Sequence, residues 1–389
     1  MIRVGTDFSG IGAPEQALQQ LGIPHKVKFA CDFDKWAKKS YLSNYHPEIF
    51  YDNVATRDHS IAPEVDLYVA GFPCQTFSIA GKRAGFNDTR GTLFFDLLQY
   101  LKLKTPKYFI LENVKGLVNH DKGNTYTTIM NCLRELNYTL YAQVLNTKHY
   151  NIPQNRERIF IVGFREKHYF EFPQRVNLEY KIKDFLEGEV DERFYLKREQ
   201  VEKLEEYNRR NEEKGNGFRA KFHDPEGVMS TLKVGGARAD DLITEIMEYN
   251  LSTGPKGLKK DSGAQQKRLK FKKDIANTIT THSLNSEVGE VEWIADYRTD
   301  EGVRIRKNKI TPCLTTSSTP ITKIKKERVR RLTPLECLRL QGFSDKFYHK
   351  CKANDISDNQ LYKQAGNSMS VNVLKGLITK ILENEKNDI

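Results

Sequence analysis

Residues 2–18 read IRVGTDFSGIGAPEQAL, the pattern of a strand, a turn and a helix. The apolar run 2–6 predicts a strand, the glycines after it predict a turn, and a helix is expected from about Pro14. Proline suits a first helical turn because the N–H group that it lacks would have no partner there. Glycines between a first strand and a first helix let a ligand approach the backbone and the helix N–H groups closely.

Four more apolar runs predict strands, at 27–31, 66–70, 108–112 and 158–164. Segments with helical spacing lie among them, at 35–45, 92–102 and 125–136. Strands that alternate with helices imply a mainly parallel sheet that is covered on both faces. The first part of the chain is therefore predicted to be α/β.

The character of the sequence changes near residue 174. Residues 181–217 are highly charged with a helical centre. Three Thr-rich segments follow, at 229–236, 276–283 and 312–319. They are either a weak internal repeat or Thr-rich β structure.

The chain becomes helical again from residue 328. Thr333 is expected to cap a helix that starts at Pro334 and carries Glu336 in its first turn. The amphipathic stretch 370–386 is long enough to pack back onto the first domain.

The charge is uneven along the chain. The formal net charge is +11, and residues 251–330 hold 18 Lys/Arg against 9 Asp/Glu. A concentrated basic segment is typical of a polyanion-binding face, although a solvated lysine-rich surface has the same composition.

The sequence has no feature of secretion or membrane insertion. We expect no signal peptide, and no apolar stretch approaches the ~18 residues of a membrane-spanning helix. The six cysteines lack zinc spacing, so we expect neither a structural zinc nor a disulfide framework. These features predict a cytoplasmic protein without a metal site.

The second predicted strand ends in CDFDKW, which contains Asp32 and Phe33. A carboxylate at this position can accept hydrogen bonds from two ribose hydroxyls, and an aromatic ring beside it can stack on adenine. With the glycine turn, the pair favours an adenosine-containing cofactor. The turn lacks the full GxGxxG pattern, so NAD is not the first choice.

GFPCQTFS (71–78) places Cys74 just past the predicted strand 66–70. Open α/β sheets bind ligands beyond the carboxyl ends of their strands, and a thiol there is a candidate nucleophile. Glu112 ends another apolar strand, while Arg156 and Arg158 precede and enter a third. Each residue alone is more often structural, but together they indicate a site for an electron-poor ring with polar edges.

These ordered motifs resemble those of the DNA (cytosine-5) methyltransferases of bacteria and phages, the restriction–modification type. DFSGIG is similar to the family's first cofactor motif, and GFPCQTFS with RGTLFFD (90–96) to its nucleophile loop. The later motifs follow in the family's order: LENVKGL, QNRERIFIVGF, RLTPLECLRLQGF and QAGNSMS. The resemblance implies a Rossmann-like S-adenosylmethionine-dependent methyltransferase sheet with a second, smaller target-recognition domain.

The resemblance also implies an organisation and partners. Residues 1–174 and 357–389 would form the catalytic cofactor-binding domain, 175–327 the target-recognition domain, and 328–356 a hinge. The substrate would be duplex DNA, and a cognate restriction endonuclease would act separately. We expect a monomer, associated with the nucleoid of a prokaryotic or phage-infected cell.

The resemblance implies S-adenosylmethionine as methyl donor and a cytosine that is flipped out of the duplex. Cys74 would attack C6, Glu112 would hydrogen-bond N3 and the exocyclic amine, and Arg158 would hold O2, with Arg156 in the same motif. Attack makes C5 nucleophilic toward the sulfonium methyl, and after loss of the C5 proton Cys74 leaves by β-elimination.

Other residues match the family's cofactor positions: Phe8, Gly10, Ile11, Gly12, Asp32, Phe33, Asn53, Val54, Pro73, Leu93, Asn367 and Ser368. The mobile loop that closes over DNA would carry Gln75, Ser78, Lys82 and Arg90. Two positions depart from the family pattern. The acid of the first motif, Asp7, is one place off, and Asn53 stands where Asp is usual, with a carbonyl that can still accept from the adenine amine.

Two alternatives stay open at this point. An RNA cytosine methyltransferase would keep the fold and change the substrate. A non-catalytic DNA-binding relative would keep the motifs without turnover, and failure to form a covalent complex with 5-fluorocytosine DNA would favour it.

Overall fold

The structure is a computed structural model that describes residues 1–73, 93–215, 220–232, 242–250, 291–298, 302–306 and 319–384. The chain divides into two compact units. The first comprises Met1–Val190, Arg219–Asp241 and Arg331–Ile389, and the second comprises Asp191–Phe218 and Leu242–Arg330.

The first unit is built on strands β1 (Ile2–Asp7), β2 (His25–Cys31), β3 (Ile49–Tyr51), β4 (Leu67–Ala70), β5 (Tyr108–Val114), β6 (Thr139–Asn146), β7 (Gln154–Asn155), β8 (Glu157–Phe164), β9 (Phe222–His223) and β10 (Met229–Ser230). Its helices before residue 190 are α1 (Ala13–Gln20), α2 (Lys35–Leu42), α3 (Leu93–Lys104) and α4 (Asn124–Glu135). The second unit contains the helix α5 (Arg198–Glu213). The first unit ends with α6 (Pro334–Arg339), α7 (Asp345–Ala353), α8 (Asp358–Asn367) and α9 (Val371–Asn384).

Seven strands form one sheet in the order β3-β2-β1-β4-β5-β8-β6. The first five strands in this order are parallel, whereas β8 runs antiparallel to both of its neighbours. The predicted α/β class with a mainly parallel sheet is confirmed. Sequence reasoning did not assign the direction of β8, and it missed β3 and β6.

The antiparallel direction of β8 follows from the short connection that precedes it. Only residues 147–156 separate β6 from β8, whereas a parallel crossover needs a dozen or more residues and usually a helix. The start of β8 therefore lies beside the end of β5, and Arg158 pairs in register with Val114. This arrangement brings the two ends that carry the predicted site residues to one edge of the sheet.

Both faces of the sheet are covered. One face packs against a cluster that includes residues from α3 and α4, among them Phe94, Leu97, Leu101, Ile129 and Leu133. The C-terminal helix α9 packs against α1, as its amphipathic pattern predicts. The start of α6 is also as predicted: Thr333 N–H donates to Glu336 Oε2 at 2.7 Å, and Glu336 N–H donates to Thr333 Oγ1 at 3.2 Å.

The second unit has strands β11 (Leu242–Asn250), β12 (Val291–Arg298), β13 (Gly302–Arg306) and β14 (Thr319–Arg331), the last of which ends at the unit boundary. These strands lie in the order β13-β12-β14-β11, and β12 is antiparallel to both β13 and β14. The Thr-rich segment 276–283 and nearly all of 312–319 lie outside the described residues, as does much of the basic segment 251–330.

The described cysteines Cys31, Cys132, Cys337 and Cys351 are free thiols, and all but Cys132 are buried. Across the ranges that the structure describes, no helix is long and apolar enough to cross a membrane.

Candidate active site

The predicted nucleophile loop falls in residues 74–92, which lie outside the described part of the chain. Five predicted site residues belong to it: Cys74, Gln75, Ser78, Lys82 and Arg90. Their roles stay predictions. The structure describes the residues on both sides, with Pro73 exposed after β4 and Leu93 partly buried at the start of α3.

Glu112 and Arg158 meet at the edge of the sheet where β5 ends and β8 begins. Arg158 Nε lies 3.2 Å from Glu112 Oε1, and the two side chains are 18% and 12% exposed. A guanidinium and a carboxylate are thus held side by side, while both keep some accessible surface. This pair presents one cationic donor and one carboxyl group to a ligand at the sheet edge.

The environment of Glu112 changes its acidity. Burial raises the pKa of Glu112 above its ordinary value, while the positive charges of Arg158 and Arg156 oppose the shift. A carboxyl group with a raised pKa keeps its proton closer to neutral pH and can donate it to a ring nitrogen.

The segment that leads to Cys74 runs directly beside Glu112. A Cβ atom on Gly71 would lie 3.0 Å from Met369 Cε and 3.6 Å from Glu112 Oε2. Asn113 Nδ2 also donates to the Phe72 carbonyl at 2.8 Å, which ties the end of β5 to this segment. A glycine at position 71 allows the close approach.

Arg156 is held by hydrogen bonds to the C-terminal segment, and its charge also acts on Glu112. Its Nη1 donates to the Gly366 carbonyl at 3.2 Å, and its Nη2 donates to the Ser368 carbonyl at 2.7 Å. The residue is 2% exposed, and burial together with the Arg158 charge lowers its pKa to about 9. The guanidinium remains charged at neutral pH and joins the start of β8 to the turn after α8.

The turn after β1 has the geometry of a ligand-binding loop. Phe8, Gly10 and Gly12 have φ values of 53°, 54° and 82°. Gly12 needs this freedom and also the lack of a side chain, because a Cβ there would lie 2.4 Å from the Tyr45 ring. Ile11, between the two glycines, is buried.

Asp32 fixes this turn to the end of β2. Its Oδ2 accepts from the Gly10 N–H at 2.8 Å, and its Oδ1 accepts from the Asp34 N–H at 2.9 Å. Burial raises the pKa of Asp32, and the two backbone hydrogen bonds oppose that shift. The neighbouring Phe33 is 80% exposed, so its ring is available for stacking.

Asn53 caps a short 3-10 helix, Val54–Thr56. Its Oδ1 accepts from the Ala55 N–H at 2.9 Å, and Val54 is buried. The carbonyl that the sequence assigns to the adenine amine therefore also holds the local backbone. The adenine contact itself stays a prediction.

The C-terminal motif is held against α2. Lys363 Nζ lies 2.6 Å from Asp34 Oδ2, and Ser40 Oγ donates to Gln364 Oε1 at 2.9 Å. These contacts join α8 to α2. Asn367, which is exposed, ends α8, and Ser368, which is buried, is its C-cap.

Asp7 has a partner that the sequence did not reveal. Arg57 donates from Nη1 and Nη2 to the two carboxylate oxygens of Asp7, each at 2.7 Å, and Tyr68 donates to Oδ2 at 2.6 Å. The displaced acid of the first motif is thus part of a buried ion pair. Local sequence patterns carry no signal for it, because Arg57 is 50 residues away.

The residues at this edge fit an adenosine-containing cofactor. An exposed phenyl ring, a carboxylate at the end of β2 and a left-handed glycine turn supply a stacking surface, a hydroxyl acceptor and a close backbone approach. Within the described ranges no group of three His, Cys, Asp or Glu residues could hold a metal ion.

The mainly parallel sheet and the fit of these residues to an adenosine-containing cofactor point to the α/β methyltransferases. The family described as C-5 cytosine-specific DNA methylase matches residues 4–383, and the chain belongs to this family. The family resemblance, the assignment as a DNA (cytosine-5) methyltransferase and the cofactor are thereby confirmed.

Individual relatives span nearly the whole chain. The orphan methyltransferase M.SPRI of Bacillus phage SPR is 33% identical and covers 98% of this chain and 97% of its own. The type II methyltransferase M.HpaII of Haemophilus parainfluenzae is 34% identical, with 97% and 88% covered. Among solved structures, the Dnmt2 methyltransferase of S. pombe has a TM-score of 0.63 at 20% identity, with 98% and 99% covered, and supports the fold alone.

Proposed function

We propose that this enzyme methylates C5 of one cytosine in a specific duplex DNA sequence, through a covalent adduct between Cys74 and the flipped-out base. The observation that carries the proposal is the Glu112–Arg158 pair, with a 3.2 Å separation, beside the segment that leads to Cys74. Family membership supplies the reaction class.

The described residues suit the polar edges of a cytosine. The carboxyl group of Glu112 donates to N3, and its other oxygen accepts from the exocyclic amine. Arg158 donates to O2. Both interactions draw electrons toward the pyrimidine edge and make C6 electrophilic toward the Cys74 thiolate.

Addition forms a bond between Sγ of Cys74 and C6, and the displaced electron pair makes C5 nucleophilic. S-adenosylmethionine, when bound, would supply the methyl group that C5 accepts, with cleavage of the bond from that methyl group to the sulfonium sulfur and release of S-adenosylhomocysteine. Phe8, Asp32, Phe33 and Val54 would hold it. Removal of the C5 proton by a base returns an electron pair to the C5–C6 bond and releases Cys74 as a thiolate.

The domain roles are part of the same proposal. Residues 1–174 and 357–389 carry catalysis, 175–327 read the DNA sequence, and 328–356 link the two. Lys/Arg contacts with phosphates position the duplex, and loop side chains read base edges. The enzyme acts as a cytoplasmic monomer, and any restriction endonuclease partner is a separate protein.

Bisulfite sequencing tests this function directly. DNA from cells that express the wild-type chain should contain 5-methylcytosine at one recurring sequence, and DNA from cells that express Cys74→Ala should contain none. Purified enzyme with labelled cofactor should modify duplex DNA and leave tRNA unlabelled. Labelling of tRNA alone would assign the enzyme to RNA instead.

A further inference from the structure

A buried ion pair between Asp7 and Arg57 lies at the end of β1, directly before the glycine turn of residues 8–12. The side chains of Asp7 and Arg57 are both 0% exposed, and two parallel hydrogen bonds of 2.7 Å join them. Bidentate guanidinium–carboxylate pairs are the most directional ion pairs in proteins, so each partner fixes the orientation of the other.

Aromatic rings enclose the guanidinium of Arg57. Its Cζ lies 4.8 Å from the centroid of Phe29 and 5.2 Å from those of Tyr51 and Tyr100. The Phe29 ring occupies the space where Gly5 has no side chain, since a Cβ on Gly5 would lie 2.3 Å from that ring. The cage leaves Arg57 few alternative positions.

His59 is a further polar neighbour of Arg57. Burial and the positive charge of Arg57 lower the pKa of His59 to about 4, so its ring is neutral at physiological pH. Arg57 Nη2 lies 3.4 Å from His59 Nδ1, which can accept a hydrogen bond in the neutral form. The guanidinium of Arg57 therefore contacts Asp7, which precedes it in the sequence, and His59, which follows it.

The pair connects two segments that carry cofactor residues. Asp7 ends β1 and directly precedes Phe8, whose φ is 53°. Arg57 directly follows the 3-10 helix that Asn53 caps and that contains Val54. A shift of either partner would move the glycine turn relative to the Asn53–Val54 segment.

We propose that Asp7 and Arg57 are positioning residues for cofactor binding, which hold the turn after β1 and the Asn53–Val54 segment at the spacing that S-adenosylmethionine requires. Both side chains are 0% exposed, so they act through the segments that they join. The inference depends on the cofactor and on the predicted contacts of Phe8 and Val54, and not on the identity of the nucleic acid.

The test separates positioning from stability. Removal of one partner leaves a buried unpaired charge, whereas replacement of both by apolar residues of similar size is often neutral for stability. The main variant is therefore Asp7→Leu with Arg57→Met. Arg57→Lys is a second variant, which keeps the positive charge but cannot form the two parallel hydrogen bonds of the guanidinium. The control is Arg3→Met with Asp66→Leu, a pair at the other end of β1 whose closest atoms are 2.8 Å apart.

Calorimetry with S-adenosylmethionine on the full chain gives the readout, beside thermal unfolding and the KM for DNA. We expect the Asp7/Arg57 double variant, with cooperative unfolding, to bind the cofactor about tenfold more weakly or worse. We expect Arg57→Lys to show a smaller loss in the same direction, and the control pair to bind as the wild type does. The KM for DNA should change less than the cofactor affinity.

Wild-type cofactor affinity in either folded variant would overturn the inference. An equal loss in the Arg3/Asp66 control would also overturn it, because the effect would then be general. Calorimetry reads cofactor binding without DNA, so a failure of the proposed DNA methylation would be visible separately.

Discussion

Arg158 Nε lies 3.2 Å from Glu112 Oε1, across two strands that run in opposite directions. The contact exists because β8 is antiparallel. In a parallel strand, the beginning of β8 would lie at the opposite edge of the sheet from the end of β5. The contact between Glu112 and Arg158 is therefore a consequence of sheet topology as much as of residue type.

Glu112→Gln keeps the shape and hydrogen-bonding edge of the side chain but cannot supply a proton. We expect kcat to fall by about 10²–10⁴-fold, while the affinity for DNA changes little. Single-turnover methylation and a binding assay on the same duplex measure the two effects. Glu157→Gln is the matched control, because Glu157 is partly exposed and pairs with Lys115. Equal losses in both variants would contradict the role of Glu112.

The raised pKa of Glu112, caused by burial, predicts a pH dependence of the rate. The protonated form is the active donor, so its fraction and the contribution to kcat fall as pH rises through the folded-state pKa. A profile of kcat against pH should show this descending limb for the wild type. The limb should be missing from Glu112→Gln, and its persistence there would assign it to another group.

Arg156 is expected to act through the backbone of the C-terminal motif. Arg156→Met removes both hydrogen bonds to the Gly366 and Ser368 carbonyls, so the KM for S-adenosylmethionine should rise about tenfold or more. Arg156→Lys should recover part of the loss. Arg165→Met is the control, since Arg165 follows the far end of β8 and donates to the Leu136 carbonyl. An unchanged KM for the cofactor in Arg156→Met would contradict this role.

The ring of Phe109 on the paired strand occupies the space that a side chain at Gly163 in β8 would need. A Cβ at position 163 would lie 2.1 Å from Phe109 Cζ, so Gly163→Ala should destabilise the fold by about 1–3 kcal/mol. Urea unfolding measures the change. Gly116→Ala is the control, because an added Cβ there meets no atom within 4 Å. A Gly163→Ala variant as stable as the wild type would show that the ring moves freely.

Five strands of the first unit were predictable because their apolar runs are largely buried in the sheet: β1, β2, β4, β5 and β8. β6 was missed because most of its residues are only partly buried, which weakens its pattern. The direction of β8 could not be read locally, since it depends on pairing and on the length of a connection. Glu112, Arg158 and Asp32 were predicted as site residues from their positions at strand ends, and their roles stay predictions.

The partner of Asp7 and the contacts of Arg156 could not be found in the same way. Arg57 lies 50 residues from Asp7 along the chain, and the carbonyls that Arg156 contacts lie 210 and 212 residues away. Hydrogen bonds to main-chain carbonyls do not depend on the identity of the accepting residue. Only the folded arrangement reveals these links.

Covalent trapping on 5-fluorocytosine DNA tests whether Cys74 attacks the cytosine ring. A duplex that carries 5-fluorocytosine at the methylated position has no C5 proton to lose, so β-elimination stops at the adduct. With S-adenosylmethionine, the wild type should form a complex that survives denaturing electrophoresis and maps to Cys74, and Cys74→Ala should form none. An adduct on another residue, or full methylation of ordinary DNA by Cys74→Ala, would contradict the mechanism.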